Sequence, residues 1–185
     1  MNKFTKYLIL VSCFITPIAS ALDLEQSVTQ EQASEKAFSQ SLKALHDQWG
    51  IVNYTLTGDE QEQAFEALDK QSIAFNNDFS DKAETWVWRG IVQSSFAGSK
   101  GGFGALSLVK AAKKSLEKAL TIDDEALLGS AYTSLGTLYH KVPGWPISFG
   151  DDDDAIEYLK KALSIDPNGI DPNYFYGELL YDKRK

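Results

Sequence analysis

Apolar residues recur at intervals of three and four along most of the chain, which is the spacing of a single buried face on a packed helix. This pattern predicts an all-α protein with helices over 30–49, 59–78, 81–97, 104–121, 125–140, 151–164 and 171–182. Asp59 and Asp81 stand at two of the predicted helix starts, where a carboxylate can cap free backbone N–H groups. The segment 51–56 is rich in β-forming residues and is predicted to run extended between two helices.

Two helix pairs repeat one order of small and large residues. The later pair has Tyr132, Leu135, Gly136 and Tyr139, then Ala155, Leu159, Ala162 and Pro167. The earlier pair has Trp86, Gly90 and Gln93, then Ala112, Leu116, Ala119 and Asp124. This order resembles the tetratricopeptide repeat, a helix pair of about 34 residues. Since the first helices are offset by 46 residues and the second helices by 43, we expect an extended loop inside each pair, three residues longer in the earlier one.

The repeat pattern predicts how the helices pack. Small residues such as Gly136 and Ala155 should lie where the two helices of a pair approach closely. One pair cannot bury its own apolar face, so three or more should stack into a superhelix. A weaker unit precedes the two pairs and is marked by Phe38, Leu42, Leu45, Ala64, Leu68 and Gln71. Half a unit follows them and is marked by Asn173, Tyr176, Gly177 and Leu180. The last helix is unpaired, so we expect a protein partner, an oligomer or a rearranged cap there.

Residues 1–21 have the pattern of a secretory signal peptide. Lys3 and Lys6 precede a short apolar run, and Ala19-Ser20-Ala21 fits the cleavage pattern of small residues. Cleavage after Ala21 would leave a helical-repeat domain over 22–185, with no cysteine and a net charge of −10 instead of −8. We therefore expect a secreted, periplasmic protein. The alternative is lipid attachment at Cys13, which the preceding Leu-Val-Ser would permit.

Charge and motif content exclude several classes of function. The chain has 26 acidic and 18 basic side chains, whereas nucleic-acid binding needs a positive surface that replaces phosphate counterions. No nucleic-acid partner is therefore expected. Catalytic motifs of known spacing are also missing from the sequence, so we expect a protein that is not an enzyme and that uses no cofactor.

Three further features have a structural interpretation. Asp151–Asp154 lacks the alternating spacing and distal Glu of a calcium loop, so it predicts a capped helix start and no metal site. His46 and His140 have no Cys or His at ligand spacing, which predicts surface or packing roles. Gly98–Gly104 has its lysine before the glycines and follows a helix, unlike a phosphate-binding loop, and predicts a glycine-rich turn.

The segment 142–150 is the strongest candidate for a functional loop. Pro143 and Pro146 fix φ on both sides of Trp145, and Phe149 adds a second ring. The loop either presents these aromatic residues as a binding edge or folds back and seals the helical core with Trp145 packed inside. The sequence leaves both alternatives open.

Four segments resemble the tetratricopeptide T component of TRAP transporters, the TatT-like family. They are residues 86–90 (WVWRG), 101–104 (GGFG), 129–151 with its Pro-Gly-Trp-Pro loop, and 173–179 (NYFYGEL). The resemblance implies a periplasmic helical-repeat protein that associates with the solute-binding subunit of the transporter and holds a hydrophobic ligand.

Two hypotheses of function follow. The first is a protein–protein adaptor that uses the 142–150 loop and the concave face of the superhelix. The second is a carrier in which Trp88, Phe103 and Trp145 line an apolar pocket for a small hydrophobic molecule. The candidate partner- or ligand-binding residues are Trp88, Phe103, Pro143, Trp145, Pro146, Phe149, Tyr174 and Tyr176.

Overall fold

The computed structural model describes residues 16–184, with side chains from residue 26 onward. This part of the chain is entirely helical apart from its connections, so the predicted all-α class is confirmed within it. The helices are α1 (Thr16–Thr55), α2 (Gly58–Asp78), α3 (Ala83–Lys100), α4 (Gly102–Ile122), α5 (Ala126–Lys141), α6 (Asp152–Ile165) and α7 (Ile170–Asp182). Two compact units divide the chain after residue 40, and the second holds the end of α1 and all of α2–α7.

Most of the predicted signal peptide, with Cys13, lies outside the described residues. Residues 16–21 form the start of α1. Within the described range, no helix carries an apolar stretch long enough to cross a membrane.

The extended segment predicted over 51–56 is wrong, because α1 remains helical through Thr55. Two side chains satisfy the carbonyl groups at the end of this helix. Thr55 Oγ1 donates to the carbonyl oxygen of Ile51 at 2.7 Å, and Gln61 Nε2 donates to that of Val52 at 3.1 Å. Since Val52 is also buried, packing and capping outweigh the β preference of this segment.

Two predicted helix caps are wrong and one is confirmed. Helix α2 begins one residue before Asp59 and α3 begins two residues after Asp81, so neither carboxylate occupies the cap position. At the start of α6, the Asp151 side chain accepts hydrogen bonds from the N–H groups of Asp153 at 2.8 Å and Asp154 at 3.1 Å. The acidic run is therefore a capped helix start, as the sequence predicts.

The extended loop predicted inside the earlier pair is also wrong. Helices α3 and α4 are separated only by Gly101, with φ 64° and ψ −177°, and the other residues of the predicted loop lengthen the two helices. Glycine permits this one-residue connection because residues with a side chain rarely adopt such a φ angle. In the later pair, the predicted long loop is present between α5 and α6, over residues 142–151.

Each pair packs through a glycine that lies against a leucine, as the small-residue pattern predicts. A Cβ atom on Gly90 would lie 2.5 Å from Leu116 Cγ, and one on Gly136 would lie 2.6 Å from Leu159 Cγ. Both leucines are fully buried, as are the flanking alanines of α4 and α6, which are Ala112, Ala119, Ala155 and Ala162. The pairs α3–α4 and α5–α6 therefore share one packing arrangement.

Helix α7 packs against the core on one side only. Leu179 is fully buried in the core cluster, together with residues of α3–α6. Among the described residues, nothing lies within 4 Å of where a Cβ atom on Gly177 would stand. In the repeat pattern Gly177 corresponds to Gly136, so the side on which a second helix would pack is open.

Candidate functional site

The loop between α5 and α6 is held at its two ends by backbone hydrogen bonds. The N–H of Gly150 donates to the carbonyl oxygen of Pro143 at 3.0 Å, and the N–H of Asp151 donates to that of Tyr139 at 2.9 Å. A Cβ atom on Gly150 would overlap the carbonyl oxygen of Val142, so glycine alone fits at this position. The ends of the loop are therefore fixed to each other and to α5.

The tip of the loop presents apolar surface to solvent. Trp145 is 90% exposed and Ile147 is 59% exposed, with Pro143 and Pro146 exposed beside them. The N–H of Ile147 donates to the carbonyl oxygen of Gly144 at 3.1 Å, which closes a turn around the cis Trp145–Pro146 peptide bond. Trp145 is therefore not packed in the core. Sequence reasoning missed Ile147, although the residue directly follows the second proline.

Phe149, at the other end of the loop, faces the core. Its ring centroid lies 5.2 Å from that of Tyr139, at an interplanar angle of 67°. Lys113 Nζ lies 5.0 Å from the Phe149 centroid and 5.2 Å from that of Tyr139. A hydrogen bond with Tyr139 raises the pKa of Lys113, which keeps the ammonium charged beside the two rings. The structure places the two rings differently: Phe149 packs against the core, whereas Trp145 is exposed and is not packed inside.

Trp88 and Phe103 occupy different environments. Trp88 packs between α1 and α3, with its ring 5.2 Å from His46 and 5.8 Å from Trp49. Phe103, in the first turn of α4, is 92% exposed. Because a pocket covers the side chains that line it, Phe103 and Trp145 do not share an enclosed pocket with Trp88.

The two candidate tyrosines of α7 also differ. Tyr174 is 62% exposed and lies edge-on to Phe175, with ring centroids 5.2 Å apart. Tyr176 is partly buried against the core cluster. The eight predicted site residues are therefore distributed over α3, α4, the α5–α6 loop and α7, and only the four in the loop form one continuous segment.

A shallow cavity between α5 and α6 is absent from the sequence-based predictions. It measures about 310 Å³ and is lined by Tyr132, Asp154, Glu157, Tyr158 and Lys161. Burial raises the pKa of both tyrosines, so their phenols stay un-ionised at neutral pH. The four residues from α6 stand at positions i, i+3, i+4 and i+7, a spacing that places them on one helix face and could have signalled the site.

A group of polar side chains is buried between α2 and α3. Asn76 Nδ2 donates to Thr85 Oγ1 at 2.9 Å, and Arg89 Nη1 donates to Asn76 Oδ1 at 3.1 Å. Asp69 Oδ1 and Arg89 Nε are buried without a hydrogen-bond partner. Burial raises the pKa of Asp69, although a hydrogen bond with Gln93 and the charge of Arg89 act in the opposite direction. These contacts join the two helices.

His140 bridges three helices. Its Nδ1 lies 2.7 Å from Asp152 Oδ1 at the start of α6, and its Nε2 lies 3.4 Å from Asp182 Oδ2 at the end of α7. Lys141, the next residue of α5, pairs with Glu178 of α7 at 2.8 Å. In the part of the chain with described side chains, no group of three or more His, Cys, Asp or Glu residues is placed to hold a metal ion. His140 itself is largely buried and joins α5 to α6 and α7, which is the packing role that the sequence predicts.

Over residues 16–184, the fold and the loop together define a helical protein that presents an exposed aromatic loop held at both ends. Comparison of the chain with models of known protein families, with curated proteins and with solved structures found no match.

Proposed function

We propose that this chain is a periplasmic, non-enzymatic scaffold protein that binds a partner protein through the 142–150 loop. The observation that carries the proposal is the 90% exposure of Trp145 on a loop whose ends are hydrogen-bonded in place. An aromatic side chain that is held by an ordered loop loses little conformational entropy when it binds. Tryptophan is also among the residue types most enriched at binding hot spots.

The scaffold in this proposal is a tetratricopeptide-like superhelix. The shared packing of Gly90 against Leu116 and of Gly136 against Leu159 supports it, since successive repeats should reuse one helix-pair geometry. The open side of α7 at Gly177 supports a repeat array that is unpaired at this helix. The non-enzymatic part of the proposal rests on the absence of catalytic motifs from the sequence.

The compartment and the partner rest on the N-terminal sequence and on the resemblance to the TRAP transporter T component. Residues 1–21 carry the signal-peptide pattern. The Pro-Gly-Trp-Pro segment, which carries the resemblance most specifically, also forms the exposed tip of the loop. We therefore propose a transporter solute-binding subunit as the partner.

The test is photo-crosslinking from the loop tip in the cells that produce the protein. A photoreactive amino acid replaces Ile147 in the tagged full-length chain, and crosslinked proteins are identified by mass spectrometry. The matched variants are Trp145→Ala and Phe103→Ala, because the two aromatic side chains are almost equally exposed. We expect a solute-binding subunit in the crosslinked fraction, and a loss of at least about tenfold with Trp145→Ala alone, which corresponds to about 1.4 kcal/mol of binding free energy.

Equal crosslinking by the two alanine variants and by the parent chain would remove the loop from the proposal. Recovery of a different class of protein, with the same dependence on Trp145, would overturn the transporter assignment and keep the adaptor function.

The compartment has its own measurement, the intact mass of the protein recovered from cells. A chain that begins at Leu22 supports cleavage and export. A lipidated Cys13 start would replace the free periplasmic form with an anchored one, and a retained Met1 would contradict export.

A further inference from the structure

We propose that the cavity between α5 and α6 binds a compact alkylammonium group. The cavity has a volume of about 310 Å³, and its lining combines two tyrosine rings, two carboxylates and one lysine. This proposal does not depend on the protein partner of the 142–150 loop.

The two tyrosine rings provide a surface that attracts a cation. Tyr132 and Tyr158 have ring centroids 6.3 Å apart with an interplanar angle of 35°, and Tyr139 stacks on Tyr158 from the core side at 5.3 Å. The ring faces of tyrosine carry negative electrostatic potential and hold ammonium groups within about 6 Å of the centroid. Because burial raises the pKa of both lining tyrosines, the rings remain neutral phenols.

The carboxylates give the cavity its selectivity for positive charge. Asp154 and Glu157 are exposed at its rim, and within the described residues neither makes an ion pair. The Tyr132 hydroxyl donates to Asp124 Oδ2 at 3.0 Å, which places a third carboxylate at the hydroxyl end of this ring. Backbone N–H groups at the start of a helix attract anions. In α6, those of Asp153 and Asp154 already donate to the Asp151 side chain.

An ammonium group of the chain itself already lies over one of these rings. Lys161 Nζ lies 5.7 Å from the Tyr132 centroid, and this lysine is exposed and makes no ion pair among the described residues. Lys113, by contrast, lies 3.5 Å from Glu117 and contacts the neighbouring rings of Tyr139 and Phe149. Lys161 therefore indicates which chemistry the cavity accepts, and it is free to move aside for a ligand.

The ligand chemistry that fits is a quaternary or primary alkylammonium with a short apolar body. A free small amine and the lysine side chain of a peptide both present this group. An anion is excluded by the rim carboxylates, and a purely apolar ligand would leave those carboxylates beside it without a partner.

The experiment uses the protein in the form in which it is recovered from cells. It is titrated with choline and with 3,3-dimethyl-1-butanol, a neutral molecule of the same shape. Binding is followed by NMR chemical shifts at constant low ionic strength. We expect millimolar binding of choline and at least tenfold weaker binding of the alcohol. Nα-acetyl-lysine amide is titrated in parallel, and whichever ammonium binds more tightly identifies the quaternary amine or the lysine side chain as the source.

Four variants localise the binding. Tyr132→Leu should weaken it about fivefold and Glu157→Gln about threefold, as expected for loss of one ring or one nearby charge. Lys161→Ala removes the competing internal ammonium and should tighten binding about threefold. Asp153→Asn is the control on the same helix turn: its carboxylate lies outside the cavity and pairs with Lys183 at 3.1 Å, and the variant should leave the affinity unchanged.

A misfolded variant would not bind choline more tightly. The tighter binding expected of Lys161→Ala therefore tests the proposal even if Tyr132→Leu is unstable. Equal binding of choline and the neutral alcohol would overturn the proposal. So would an affinity that falls as much with Asp153→Asn as with Glu157→Gln, because the attraction would then be the general acidity of the chain.

Discussion

Gly136 of α5 lies directly against Leu159 of α6, with 2.6 Å between the place of a Gly136 Cβ atom and Leu159 Cγ. The carbonyl oxygen of Ala155 stands 3.1 Å from the same place, so backbone as well as side chain fills the space. Leu159 is fully buried and has no room to move outward. This contact sets the distance between the two helices.

Gly136→Ala should lower the free energy of unfolding by about 1–3 kcal/mol, because the added methyl group forces α5 and α6 apart. The matched control is Gly177→Ala, which places the same methyl group on a helix in open space. That variant should raise the free energy of unfolding by about 0.5–1 kcal/mol, through the higher helix propensity of alanine. Urea denaturation of both variants makes the comparison. Similar effects of the two substitutions would contradict the close approach.

The first turn of α5 contains leucines in a left-handed backbone conformation. Leu127 and Leu128 have φ angles of 49° and 56°, and this conformation raises the energy of a residue with a side chain by roughly 1–2 kcal/mol. Leu128 is 68% exposed, so its removal sacrifices little burial.

Leu128→Gly should therefore raise the free energy of unfolding by about 1 kcal/mol. The control is Leu180→Gly, in the regular helix α7, which should lower it by at least about 1 kcal/mol. Thermal unfolding followed by circular dichroism separates the two outcomes. A loss of stability in both variants would show that the left-handed turn does not form in solution.

Burial of the Asp69 carboxyl predicts an unusual pH dependence. Burial raises the pKa of Asp69, so the folded state favours the neutral carboxyl. The wild-type protein therefore loses stability as the pH rises from the ordinary pKa of aspartate to the raised pKa. Asp69→Asn should then be more stable than wild type at pH 7 and no more stable at pH 3. Urea midpoints at the two pH values measure the difference.

Glu66→Gln, on the same helix, is the control, because the pKa of Glu66 is shifted in the opposite direction from that of Asp69. A hydrogen bond from Lys70 lowers the pKa of Glu66, so this variant should lose stability at pH 7 and none in strong acid. If Asp69→Asn has the same effect at both pH values, the aspartate is not desolvated in the folded protein.

The contacts of His140 help to hold α7 against α5 and α6. Replacing it with alanine removes the contacts to Asp152 and Asp182 and should lower the free energy of unfolding by about 1–2 kcal/mol. Hydrogen exchange should show the loss mainly as faster exchange of the α7 amides. His46→Ala, at a more exposed histidine, should leave α7 unchanged. Uniform loss of protection over the whole chain would argue that His140 supports the core in general.

The sequence predicts the helix pairs because their contacts depend on residue size at fixed spacing. Gly136, Ala155 and Leu159 are recognisable in this way, and the structure brings them together. The α3–α4 connection is not predictable from composition, because several glycines between residues 98 and 104 indicate a loop. Gly98 and Gly104 lie inside helices, and Gly101 alone connects them.

The candidate sites are predictable only in part. The prolines around Trp145 indicate an ordered loop, but no sequence pattern distinguishes the exposed Trp145 from Phe149, which contacts Tyr139. The α5–α6 cavity requires Tyr132 and Tyr158 to meet across two helices, and aromatic residues at helical spacing are typical of a core.

The closed base of the 142–150 loop makes this loop a place where foreign sequence can be grafted. The bond from the Gly150 N–H to the Pro143 carbonyl and the bond from the Asp151 N–H to Tyr139 hold both ends, so the exposed residues 145–147 are the place to insert an epitope or a reporter. The single-residue connection at Gly101 offers no such freedom, since any insertion there must break a helix. Engineering of this protein should therefore begin at the α5–α6 loop.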